Sequence, residues 1–136
     1  MLRSTLPPSR IRSATVLLAL ATLLGCGDNP LAPFQPQISN AADNFQLQAT
    51  NVSNVTTTAT YAWANSGTRA TINHSTTTSA GSTLLVIKDA AGATVYSKAL
   101  SPSLNEPTTA GQAGTWSIQL TLTNYSGTLN FRAQKL

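Results

Sequence analysis

From Asn44 onward the chain alternates apolar and polar residues with a period of two, and no other feature restricts its fold as strongly. Trp116, Ile118, Leu120 and Leu122 interleave with Ser117, Gln119, Thr121 and Thr123, and Leu129, Phe131 and Ala133 interleave with Asn130, Arg132 and Gln134. Successive side chains of a β-strand point to opposite faces, so each run presents one apolar and one polar face, as a half-buried strand does. Between them Asn124-Tyr125-Ser126-Gly127 supplies turn-forming residues and a glycine free to take positive φ. The pair is therefore expected to close as a β-hairpin.

The same punctuation recurs. Asn65-Ser66-Gly67 is expected to join a strand at 57–64 to one at 69–75, and Asp89-Ala90-Ala91-Gly92 to join 83–88 to 93–99, each as a short hairpin. Asp89 reads as a turn residue whose side chain caps nearby backbone donors. The run Leu84-Leu85-Val86-Ile87 is apolar on both faces, which suits a central strand covered on both sides. Adding Phe45-Gln46-Leu47-Gln48-Ala49 brings the count to about seven strands, and no ten-residue segment from 44 on carries a helical stripe. The expected fold class is all-β: a small antiparallel β-sandwich occupying residues 44–136.

The chain before residue 44 is of another kind. Arg3, Arg10 and Arg12 precede an apolar stretch from Ala14 to Leu24, which is too short to cross a bilayer as a helix of roughly 20 residues. A cationic flank followed by such a stretch is a targeting segment. It closes on Leu23-Leu24-Gly25-Cys26, whose cysteine is the only one in the chain. This tetrad resembles a bacterial lipoprotein cleavage box, with an aliphatic residue three before the cysteine and small residues just before it. Leu23, Gly25 and Cys26 fit that pattern, and Leu24 is bulkier than the residue usual at its place. The resemblance implies a signal peptide over 1–25, acylation of Cys26 by lipid such as palmitate, and attachment to a membrane of the cell envelope. Gly27 is not the aspartate associated with inner-membrane retention, so the same resemblance implies outer-membrane delivery.

Residues 26–43 are expected to form a lipidated tether. Pro30, Pro33 and Pro36 recur at a spacing of three. Proline fixes φ and removes a donor, so an extended, partly polyproline-like segment reaching up to roughly 50 Å follows. A competing reading packs Leu31, Phe34 and Ile38 on the domain as an N-terminal strand.

Charge follows from the same division. The chain carries eight Lys plus Arg and four Asp plus Glu, but Arg3, Arg10 and Arg12 belong to the targeting segment. What remains is nearly neutral, which gives no ground for nucleic acid as a partner. A single cysteine committed to lipid leaves no internal disulfide, so the domain must rest on its hydrophobic core.

One further resemblance rests on Leu85-Val86-Ile87-Lys88-Asp89-Ala90-Ala91-Gly92, the loop 101–112, Gly114-Thr115-Trp116-Ser117-Ile118 and Ser126-Gly127-Thr128-Leu129. Together these are similar to accessory β-sandwich modules of secreted bacterial proteins, including immunoglobulin-like and pre-peptidase C-terminal-type domains. The similarity implies a binding or stabilising appendage. The acidic cluster that forms calcium sites in some such modules is absent here.

The chemical inventory points away from catalysis. Hydrolysis needs a base beside a nucleophile or two carboxylates facing a substrate, and His74 is the only histidine. It follows Ala70 and Ile72 on one strand face, with no acid in register to orient it, so it reads as a residue of the core margin. Zinc and calcium would each need several clustered ligands that the sequence lacks, and no cofactor or metal is expected. Tyr61 and Trp63 share one strand face, a spacing that could stack a sugar ring, although Thr58, Thr60, Ala62 and Ala64 on the opposite face make the aromatic face the natural core. Tyr125 falls in the expected hairpin tip and reads as exposed. The threonine runs 56–58 and 76–78 lack a fixed repeat and read as solvated strand and loop positions. Asn51, Asn54, Asn73 and Asn124 begin Asn-x-Ser/Thr triplets, which carry glycans in a eukaryotic secretory setting that the lipoprotein signal argues against.

The expected protein is thus a lipid-anchored envelope component with a non-catalytic binding or structural domain and an envelope protein or glycan as partner. One alternative is a carbohydrate-binding surface module using Tyr61, Trp63 or Tyr125. Another is an inhibitor-like or protein-recognition module presenting the loop 101–112.

Overall fold

The computed structural model describes residues 29–136. Cys26 and the whole targeting segment lie outside the described residues. Among the described residues seven strands form one antiparallel sheet: β1 (Gln37–Ala41), β2 (Asn44–Asn65), β3 (Ala70–His74), β4 (Thr77–Lys88), β5 (Thr94–Lys98), β6 (Leu104–Pro107) and β7 (Gly114–Lys135). A 3-10 turn at Ala32–Phe34 precedes them. The all-β class holds, and the sheet is not closed into a barrel.

Two layers arise because the longest strands bend. β2 and β7 pair from Asn44↔Gln134 to Asn65↔Gly114. An extended strand would hold residues 45 and 61 roughly 50 Å apart, yet the rings of Phe45 and Tyr61 stand 5.4 Å apart. The ribbon therefore folds over on itself. Its corner carries register shifts between Ala49 and Thr57, and Asn51, Asn54 and Asn124 take positive φ of 54°, 49° and 45°. Asparagine tolerates that conformation better than other non-glycine residues, and such bulges bend and twist the strand that contains them.

The first layer runs β1-β2-β7-β3-β6, using 44–49 of β2 and 129–135 of β7. The second uses 57–65 of β2 and 114–122 of β7 beside β4 and β5. Phe45, Leu47, Leu129 and Phe131 of the first layer and Trp63, Trp116, Ile118 and Leu120 of the second are buried in one core cluster. The inward parity expected for 116–122 and 129–133 is the one observed.

Connectivity departs from expectation at two of the three hairpins. Asn124 to Gly127 is no hairpin tip but the corner of the single strand β7, paired on one side with β2 and on the other with β4. β2 and β3 likewise form no hairpin; β3 lies on the far side of β7, between it and β6. The Asn65 to Gly67 link crosses between layers, held where Asp43 Oδ1 accepts from Ser66 N at 2.7 Å and Asn65 Oδ1 from Gly67 N at 3.0 Å. The β4–β5 hairpin forms as expected, with Lys88 opposite Thr94. There Asp89 Oδ1 accepts from Ala91 N and Ala93 N at 3.0 and 2.8 Å, and Oδ2 accepts from Gln112 N at 2.9 Å. β4 is covered on one face only: Leu85 and Ile87 are fully buried, while Leu84 is 42 % exposed.

The tether is corrected from Asn29 onward. Asn29 Oδ1 accepts from Leu31 N at 3.0 Å, and Leu31 is fully buried in the core. β1 then pairs with β2 from Gln37↔Gln48 to Ala41↔Asn44 through a turn in which Asp43 has φ 64°. The prolines fit because Pro33 lies in the first turn of the 3-10 segment and Pro36 precedes β1, so neither removes a ladder donor. Burial of Leu31 contributes about 1.5–3 kcal/mol toward holding this segment on the domain. Of the competing apolar trio, Phe34 is partly buried and Ile38 remains 41 % exposed.

Candidate functional site

The open face of the first layer gathers polar side chains from all five of its strands. Inward positions on β2, β3 and β7 hold Phe45, Leu47, Ile72, Phe131 and Ala133, so their neighbours must point outward. Strand register then sets Ser39, Gln46, Arg132, Asn73 and Asn105 side by side in one transverse row. Flanking rows place Gln37, Gln48 and Asn130 on one side and Asn44, Gln134 and Thr71 on the other. The surface encloses a shallow cleft of about 670 Å³ lined by Gln46, Asn73, Asn105, Asn130, Arg132 and Gln134 among others.

Charge in this cleft is sparse. Lys135 Nζ lies 3.4 Å from Asp43 Oδ2 at the rim. The Asp43 carboxyl is held below its ordinary range by hydrogen bonds from the Ser66 backbone and hydroxyl, with Lys135 adding to the effect. Arg132 Nη2 donates to Gln46 Oε1 at 3.2 Å. Among the described residues the ion pairs are Lys98–Glu106 and Lys135–Asp43, so Arg132 faces the cleft without a carboxylate partner. The amides of Asn73, Asn105 and Gln134 enter no side-chain hydrogen bond with another described residue.

The aromatic residues of the carbohydrate-binding alternative form no platform, and Tyr61 and Trp63 face the core as their strand parity indicated. Trp63 is 1 % exposed, donates from Nε1 to Ala41 O at 3.1 Å and meets Trp116 edge-on at 5.9 Å. Tyr61 packs against Phe45 and is half-buried, and burial raises its hydroxyl pKa. Tyr125, expected in a solvent-exposed tip, is fully buried at the corner and donates to Thr77 O at 2.7 Å; burial pushes its pKa up to about 12. The three rings form no shared exposed surface because each lies on the inward side of the ribbon. Nor does 101–112 protrude. Its centre is β6, paired with β3, and its end is fastened by Gly111 N donating to Thr68 O at 2.7 Å.

His74 is 2 % exposed, in keeping with the core-margin reading, but its partners were not legible in the sequence. Ser101 N donates to Nδ1 at 3.3 Å, which leaves the proton of the neutral ring on Nε2, 3.0 Å from the Tyr96 hydroxyl. Burial first and the nearby Glu106 carboxylate second raise the pKa of the Tyr96 hydroxyl, and Lys98 Nζ meets Glu106 at 2.7 Å. The Ser101 hydroxyl stands 3.4 Å from Nδ1. That nitrogen already accepts from the backbone, and a buried ring offers a substrate no approach.

Burial lowers the pKa of His74; Glu106 opposes this and Lys98 adds to it. The unfolded chain takes up a proton near pH 6.5 that the folded chain refuses, so stability is full above that pH and falls as pH drops toward the depressed folded value. Asp43, Asp89 and Glu106, all lowered, lose their contributions at more acidic pH. We expect the melting temperature to decline between pH 7 and pH 5, and the decline to flatten in His74→Gln. A parent melting temperature constant across that window would contradict the buried neutral imidazole.

Among the described residues no cluster of three or more His, Cys, Asp or Glu side chains is placed to hold a metal ion, and no helix is long and apolar enough to cross a membrane. Compared with known proteins, the chain matches no family model, no curated protein and no solved structure.

Proposed function

We propose that this is a lipid-anchored bacterial envelope protein whose folded part works by binding rather than catalysis, with the open face of the first layer as its recognition surface. The observation that carries the reading is the cleft across β2, β7, β3 and β6: unengaged amides surround one unpaired cation on a rigid sheet. A binding site needs polar groups held in place and free to exchange water for ligand, and strands hold side chains more firmly than loops do. The titratable groups that could serve catalysis have structural duties instead. Asp89 caps a loop, Asp43 ties β2 to the interlayer link, and Glu106 holds Lys98.

Two measurements test it. Fatty-acid labelling should mark the parent and not Cys26→Ser, which should leave the membrane fraction. Equal labelling of both would end the lipoprotein half. For the binding half, a photo-cross-linking residue at position 73 should capture envelope material, whereas one at 121, on the outer face of the second layer, should not. Equal capture at both positions would remove the first-layer face as the recognition surface.

A further inference from the structure

We infer that the first-layer cleft takes a glycan bearing carboxylate groups, an assignment that rests on the binding reading above and specifies its ligand.

Three observations lead there. First, the row Ser39, Gln46, Arg132, Asn73 and Asn105 crosses five strands. Neighbouring strands lie about 4.8 Å apart, close to the length of one pyranose residue. A ligand lying along this row meets a new polar side chain with each sugar.

Second, the groups match hydroxyls. An amide carries donors on nitrogen and an acceptor on oxygen, as each sugar hydroxyl is both donor and acceptor. Among the described residues no aliphatic side chain or aromatic ring lines the cleft, so these residues offer no subsite for the apolar side chains that anchor a peptide. It also lacks the several cations that a phosphate backbone requires.

Third, the centre of the row is positive. Lys135 and Asp43 neutralise each other at the rim, while Arg132 makes one bond to the neutral Gln46 and keeps guanidinium donors free. A planar guanidinium presents paired donors that suit a carboxylate. Arg132 would engage the acid group, with Asn73, Asn105 and Gln134 on adjacent hydroxyls.

The test is calorimetric titration of the full chain in detergent with oligogalacturonate and with the same oligomer after reduction of its carboxyls to alcohols. The acidic oligomer should bind at least about tenfold more tightly than the reduced one, and Arg132→Gln should erase that difference. Arg132 is exposed, so melting temperature should be unchanged in the variant. Asn73→Ala combined with Asn105→Ala should weaken both oligomers. Equal affinity for the two oligomers, indifference to Arg132→Gln, or tighter binding of an acidic peptide would overturn the assignment. Absence of binding up to about 10 mM with cross-linking at 73 preserved would sink the glycan and leave the binding reading standing. Loss of that cross-linking as well would remove both.

Discussion

Trp116→Ala will cost the domain about 3 to 5 kcal/mol, a large share of the roughly 5–10 kcal/mol that stabilises a domain of this size. The indole is 1 % exposed, lies edge-on to Trp63 at 5.9 Å and donates from Nε1 to Gln112 O at 2.7 Å. Truncation therefore opens a cavity against a second tryptophan and strands a carbonyl that fastens the loop before β7. Trp116→Phe should recover part of the packing and none of the hydrogen bond. Chemical denaturation decides the matter, and a loss under about 1 kcal/mol for the alanine variant would show that the two layers do not close on this ring.

An equally severe loss is expected from the smallest change in the corner, Gly127→Ala. Gly127 has φ 149°, and a Cβ there would stand 2.0 Å from Thr77 O and 2.8 Å from the Tyr125 hydroxyl. Those two atoms are bonded to each other. The methyl group must therefore push β4 from β7 and break the buried tyrosine bond together. Gly92 isolates the backbone contribution: its φ is 82°, but a Cβ there meets nothing within 4 Å. Gly92→Ala should cost about 1 kcal/mol, and Gly127→Ala more than about 3 kcal/mol, in the same denaturation measurement. Similar losses at both sites would show that the corner is not closely packed.

A turn and a bend at this corner share one sequence signature for a physical reason. A hairpin tip and a bulged bend both require residues that accept positive φ, so Asn124 to Gly127 satisfies either. What separates them is the strand lying opposite, a nonlocal property. A local trace does exist: Val52 and Val55 on β2, and Leu122 and Tyr125 on β7, are buried at a spacing of three where pure alternation would require two. Paired lapses of parity in two long strands mark a ribbon that bends as a unit. Face assignment for Trp116 to Leu122 and the capping by Asp89 were legible because each depends on immediate neighbours. The cleft was not, since an outward Asn or Gln looks the same on any solvated strand. Its row exists because β3 pairs with β7 rather than with β2, the chain segment it follows.

Docking of Leu31 sets how far the domain would stand from a membrane under the proposed anchoring. With the proposed lipid on Cys26, Gly27 and Asp28 are all that separate the acylated residue from Asn29, whose side chain already holds the Leu31 amide. Three peptide units span roughly 10 Å, against the roughly 50 Å a free tether would allow. An acyl group at that position would hold the domain close to the headgroups and deny it height. On the proposed reading, its search for ligand would be two-dimensional, confined to whatever reaches the lipid surface itself.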